Sequence, residues 1–180
     1  MGVFWGPRAV AVDDQGRVFV TDTGNKRIQV FDADGNAINQ FGGGGLLEGN
    51  LDEPVGLAID QDGNIYVADT WNQRVQVFDR TFQYLRQWPV DGWLSQSVVN
   101  KPYLAVADTP EGRRVYVTDP ENYRVLVFDD QGKFIAAFGQ YGSEPDAMML
   151  PTGIAVDSQG QIYVADADAH RIMIFPALNE

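Results

Sequence analysis

Apolar residues in this chain come in short runs rich in Val, Ile, Phe and Tyr, and Asp, Asn or Gly bounds almost every run. Runs of that length, punctuated by turn formers, predict β-strands. The first four fall at Ala9–Asp13, Val18–Asp22, Arg27–Phe31 and Asn36–Phe41. Strands of the first two kinds are apolar on both faces, as in Ile65-Tyr66-Val67-Ala68 and Ile154-Ala155-Val156. An open sheet with one wet face would alternate apolar with polar. Burial on both faces instead fits sheets stacked around an axis. The fourth strand is more polar (Asn36-Ala37-Ile38-Asn39-Gln40), as suits an outer edge. No long stretch carries the helical period, so any helix is expected as a short turn in the linker from a fourth strand to the next first strand.

The pattern repeats four times. The Asp that closes the second strand is Asp22, Asp69, Asp119 and Asp166, at spacings of 47, 50 and 47 residues. Arg27, Arg74, Arg124 and Arg171 follow each at the same offset, and Phe31, Phe78, Phe128 and Phe175 end the third strand. Such a period filled with short strands marks a propeller-type array. Asp-x-x-Gly turns join the strands, as in Asp13–Gly16, Asp32–Gly35, Asp60–Gly63, Asp129–Gly132 and Asp157–Gly160. In these the Asp side chain can bond the turn backbone and Gly accepts positive φ. Asp108–Gly112 is one residue longer, and Asp79-Arg80-Thr81-Phe82 lacks the Gly. The fold class expected is all-β, with propeller blades of four-stranded antiparallel sheets. One domain, residues 1–180, would hold repeats at about 4–41, 51–88, 99–138 and 148–175.

The phrase Gly16-Arg17-Val18-Phe19-Val20-Thr21-Asp22-Thr23-Gly24, followed by Asn25-Lys26-Arg27-Ile28-Gln29-Val30-Phe31, closely resembles the NHL repeat. That family is named for an Asn-His-Leu triplet at the turn between the second and third strands. Here the triplet reads Asn25-Lys26-Arg27, Asn72-Gln73-Arg74, Asn122-Tyr123-Arg124 and Ala169-His170-Arg171. The resemblance covers nearly the whole chain and implies a β-propeller, six-bladed in most relatives. It favours an extracytoplasmic location. It does not define an activity, because one fold hosts many.

The strand count does not close. Phe4, Leu51, Val99 and Met148 each stand three residues before a proline that opens a first strand, so the N-terminal residues read as the tail of a linker. The fourth repeat ends its third strand at Phe175, and Pro176 replaces the usual Asp. The expectation is three full blades plus three strands of a fourth, forming part of a larger or oligomeric ring, with a solitary four-bladed ring as the alternative. Open blade faces and an unpaired strand edge favour self-association.

Composition narrows the chemistry. The net charge of −12 disfavours nucleic acid, since four of the 13 basic residues belong to the repeated frame and the others are scattered. No apolar run is long enough for a membrane span. The N-terminus, Met1-Gly2-Val3-Phe4-Trp5-Gly6-Pro7, reads as no signal peptide. The absence of Cys removes disulfides and thiolate metal sites. His170 is the sole histidine, so a multi-histidine zinc site is excluded. Asp60–Asn64 resembles a calcium loop only superficially, because the twelfth position is Trp71 rather than Glu. No cofactor, metal or catalytic residue is expected.

The pairs Asp22 with Arg27, Asp69 with Arg74, Asp119 with Arg124 and Asp166 with Arg171 recur in every repeat, so they read as frame rather than chemistry. Function is sought where repeats differ. The turns between second and third strands share one face with the inter-repeat linkers, and there Trp71, Trp93, Tyr123, Tyr141 and Asp168 are the candidate binding residues. Trp93 and Met148 could instead fold inward. Aromatic residues on rigidly held loops suit recognition. The leading reading is a non-catalytic module binding a protein, peptide or glycan through this loop face. The alternatives are a calcium-dependent propeller hydrolase or lyase with an axial site, and an incomplete propeller fragment inactive alone.

Overall fold

The second and third strands of the first repeat lie where the apolar pattern puts them, at Val18–Asp22 and Arg27–Phe31. The first is shorter than expected, Val10–Val12, and the fourth is Ala37–Gly42. The structure is a computed structural model and describes residues 1–93 and 101–178; Val99 lies outside the described residues. The chain divides into two compact units, Met1–Asp91 and Gly92–Glu180.

In the first unit, β1 (Val10–Val12), β2 (Val18–Asp22), β3 (Arg27–Phe31) and β4 (Ala37–Gly42) form one sheet in that order. A second sheet holds β5 (Pro54–Ile59), β6 (Ile65–Asp69), β7 (Arg74–Phe78) and β8 (Tyr84–Pro89). In the second unit, β9 (Leu104–Thr109), β10 (Gly112–Asp119), β11 (Arg124–Asp129) and β12 (Phe134–Phe138) form the third sheet. The fourth has three strands among the described residues: β13 (Pro151–Val156), β14 (Ile162–Asp166) and β15 (Arg171–Phe175). Within the four sheets all strand pairings are antiparallel, and each repeat Asp sits directly opposite its Arg. A bulge falls just before Phe31, Phe78 and Phe128, which adds local twist.

Helical turns appear in a place the sequence did not suggest. They are 3-10 turns between second and third strands, at Thr23–Asn25, Thr70–Asn72 and Pro120–Asn122, rather than in the linkers. Each ends on a left-handed residue, Lys26, Gln73 or Tyr123, with φ of 56, 54 and 59°. That reversal aims the next Arg back at the Asp it faces, so the middle triplet position is fixed by backbone shape.

Each unit buries apolar faces between its own two sheets. Phe19, Ile28 and Val30 of the first sheet pack with Leu57, Ile65, Val67 and Phe78 of the second. Tyr116, Val125 and Val127 of the third pack with Ile162, Val164 and Met173 of the fourth. Leu51 and Met148, both fully buried, close these interfaces at the linker end. A Cβ at Gly42 would overlap Leu51, and one at Gly139 would overlap Met148. Both glycines have positive φ, so the backbone turn and the inserted side chain need the same residue. Burial of each such side chain is worth about 1.5–3 kcal/mol.

Candidate functional site

The loop end of each sheet is organised by the repeated Asp. Asp22 accepts hydrogen bonds from Asn25 Nδ2 at 2.9 and 3.0 Å, Arg27 Nε at 2.8 Å, Gln29 Nε2 at 2.9 Å and the backbone N–H of Trp5 at 2.7 Å. Asp69 repeats the set with Asn72, Arg74, Gln76 and the N–H of Asp52. Asp119 accepts from Asn122 and Arg124. Asp166 accepts from Arg171 and the N–H groups of Met149 and Leu150. The guanidiniums then reach on to carbonyls of the incoming linker: Val3 for Arg27, Leu46, Leu47 and Asn50 for Arg74, Ala147 for Arg171. All four carboxylates are fully buried. These groups are saturated by backbone and by each other, so they hold the linkers down. They have little capacity left for a ligand.

Burial and hydrogen bonding compete at these carboxyls. At Asp22 burial pushes upward, but bonds from Trp5, Asn25, Arg27 and Gln29 outweigh it and hold the group below its ordinary value. At Asp69 burial wins, and the carboxyl is raised despite Asp52, Asn72 and Arg74. Arg74 is correspondingly the more enclosed partner, 10% exposed against 21% for Arg27.

On this frame the second unit carries a cavity of about 230 Å³, lined by Pro120, Glu121, Tyr123, Tyr141, Met149, Leu150 and Asp168. The left-handed turn end presents Tyr123, and a bridge between Tyr141 and Met148 sets the linker beside it. The two rings lie 4.7 Å apart, tilted by 58°. Tyr141 is 65% exposed. Glu121 and Asp168 are also exposed. Two aromatic rings and two carboxylates thus border one small opening, an arrangement that favours a cation with an apolar stem.

Of the candidates read from sequence, this cavity gathers Tyr123, Tyr141 and Asp168. Trp71 belongs to the first unit, where it is half-buried and its backbone N–H donates to the carbonyl of Asp52. Trp93 needs correction as a surface contact. It is 4% exposed, and its indole N–H donates to the carbonyl of Thr118 at 3.0 Å. An indole with its one donor satisfied inside gains more from burial than from the surface. Met148 likewise points inward. Sequence reasoning passed over Glu121, Met149 and Leu150, although all three lie in segments that differ between repeats. It also missed Gln29 and Gln76, fully buried in mid-strand; their signal was a polar residue where the other repeats have Leu126 and Met173.

His170 is exposed and left-handed, closing the fourth turn as Lys26 closes the first. Among the described residues no group of three or more His, Asp or Glu side chains is gathered to hold a metal ion. No helix among them is long and apolar enough to cross a membrane.

Repeated four-stranded sheets with an Asp–Arg clamp define a β-propeller repeat protein. The family pattern of the NHL repeat matches residues 4–31 and 51–78, and that of a six-bladed β-propeller matches residues 109–178. The first unit thus carries NHL repeats, the second matches a β-propeller pattern, and the sheets are propeller blades. The chain is 28% identical over 175 residues to the protein brain tumor of Drosophila melanogaster, covering 97% of this chain and 12% of that protein. Among solved structures it resembles streptogramin B lyase, with TM-score 0.65 and 13% identity over 96% of this chain and 55% of that one. It also resembles a chain of a nidogen/laminin complex, with TM-score 0.67 and 20% identity over 94% of this chain and 60% of the other. At such identities these structures share the fold alone. The chain therefore spans about an eighth of its curated relative and little more than half of these structural neighbours.

Proposed function

We propose that this chain is a non-catalytic binding module that takes a protein or peptide partner on its loop face, with a lysine or arginine side chain lying against the Tyr123–Tyr141 pair. The observation that carries this is the cavity itself. Its two aromatic rings and its acidic rim, Glu121 and Asp168, occupy positions that vary between repeats, while the invariant charges are spent on the frame. The excess of acidic residues, 25 against 13 basic, supports steering of a basic partner.

Calorimetric titration with a short lysine-rich peptide, a glutamate-rich peptide of equal length and a neutral oligosaccharide tests the proposal. Binding of the basic peptide, weakened by salt and lost in Tyr141→Ala, is the expected result. Equal binding of all three, or none, would contradict it. A calcium-dependent rise in melting temperature would instead favour a metal-dependent propeller enzyme.

A further inference from the structure

Tyr66 and Tyr163 hold one position in the second and fourth blades, and each hydroxyl donates to the Asp that opens the nearby turn. The distances are 3.2 Å to Asp60 Oδ2 and 3.1 Å to Asp157 Oδ2. Strand register sets this pairing, because Ala58 or Ala155 stands opposite the Tyr and the Asp lies two positions further on. In the third blade Tyr116 stands opposite Ala105, and two positions further on is Ala107. The longer turn there carries β9 and β10 past the point where the other hairpins reverse. Asp108 is drawn off with it and accepts from Arg113 Nε at 2.7 Å. Tyr116 therefore lacks the acceptor that its counterparts have, and among the described residues its hydroxyl makes no hydrogen bond.

Tyr116 is 1% exposed, its ring packed in the buried cluster with Val125, Ile162 and Val164. It also lines a cavity of about 250 Å³ between the Asp108–Gly112 turn and the turn of the fourth blade. The geometry of Tyr66 and Tyr163 sends the hydroxyl toward this end, so the missing carboxylate is replaced by open space. Buried polar groups are ordinarily paired, which makes an unpaired hydroxyl at a cavity a group available to a ligand. Burial holds Tyr116 above the ordinary tyrosine value, with Glu111 pushing the same way against Arg114, so it stays a neutral donor. Glu111, Ser158 and Gln159 add a carboxylate, a hydroxyl and an amide around it, and Pro110 and Leu178 add apolar wall. Among the described residues no Lys or Arg lines the space. Its volume falls below the roughly 300–1,000 Å³ of pockets for drug-sized molecules, so one ring fits and two do not.

We propose that this cavity binds a single ring of a neutral sugar, one hydroxyl accepting from Tyr116 and a neighbouring hydroxyl donating to Glu111. Ser158 and Gln159 bond the remaining hydroxyls, and the C–H surface of the ring lies on the apolar wall. An acidic sugar is rejected, because its carboxylate would meet Glu111 with no cation to answer it. The site lies at the hairpin end of the second unit and does not rest on the loop-face reading.

Amide chemical-shift titrations with glucose, galactose and mannose, and with glucuronate as the charged control, provide the test. At least one of the three hexoses is expected to shift Thr109, Glu111, Ser158 and Gln159 saturably, and glucuronate is expected to leave them unmoved. The first blade carries Phe19 at the position of Tyr116, so Tyr116→Phe is expected to keep the fold. It should weaken the hexose about tenfold, the weight of one hydrogen bond. Tyr66→Phe removes a hydroxyl that has its own acceptor, and is expected to leave the affinity unchanged. No saturable shift with any hexose, unchanged affinity in Tyr116→Phe, or equal binding of glucuronate would each overturn the proposal. Tyr141→Ala is expected to retain hexose binding, which separates failure of this inference from failure of the loop-face reading.

Discussion

Asp22 and Asp69 occupy the same place in the repeat and titrate in opposite directions. Asp22 keeps a lowered value because its bonds exceed the burial cost, while Asp69 lies deeper and is raised. Asp13, Asp32, Asp79 and Asp157, held by turn N–H groups and neighbouring side chains, are also lowered. A lowered carboxyl contributes stability that is full above the unfolded value and is lost as pH falls through the folded one. Asp69 runs the other way, its contribution full below the unfolded value and lost as pH rises through its own. Five groups against one predict a melting temperature that drops as pH falls below about 4. In Asp22→Asn that drop should be shallower, as thermal melts across the acid range would record. Asp69→Ala would strand Arg74, 10% exposed. A loss of about 3–5 kcal/mol is expected for an uncompensated buried charge, measurable by urea unfolding. At this scale the sequence identified the ion pairs, because they recur. It did not reveal which way Trp93 points, because linker direction depends on a chain path that no local pattern encodes.

Turns show how much of an element is legible. Asp-x-x-Gly spacing located the hairpins, and carboxylates of Asp13, Asp32, Asp60, Asp129 and Asp157 accept turn N–H groups as that spacing requires. The exception without Gly is informative too. Phe82 takes the left-handed position at φ 71°, and its ring stacks on Phe41 at 5.2 Å with an Arg17 guanidinium 5.4 Å away. Packing thus offsets a backbone cost of about 1–2 kcal/mol. The 3-10 turns escaped notice because three residues carry no periodicity. Their logic lies in the Asn amide that returns to the Asp. The fourth repeat has Ala169 there, so Asp166 lacks that donor. Ala169→Asn is expected to raise stability by about 0.5–1.5 kcal/mol, seen as a higher urea midpoint.

For the molecule as a whole, repetition separates frame from function. The invariant Asp and Arg side chains, joined by Asn in three of the four repeats, satisfy one another and the linkers, so a partner has to be met where repeats diverge. The blade architecture was legible because period, proline and Asp–Arg offsets agree over four copies. The cavity was legible only in part, since Tyr123 and Tyr141 come from segments whose approach is set by the buried Met148 and by Gly139.

Backbone amide chemical-shift mapping during titration with the lysine-rich peptide tests the central claim most directly. The account predicts that shifts concentrate at Glu121, Tyr123, Tyr141, Met149, Leu150 and Asp168, with little change at the four Asp–Arg pairs. Shifts centred on those pairs, or on the opposite hairpins around Asp108 and Ser158, would contradict it.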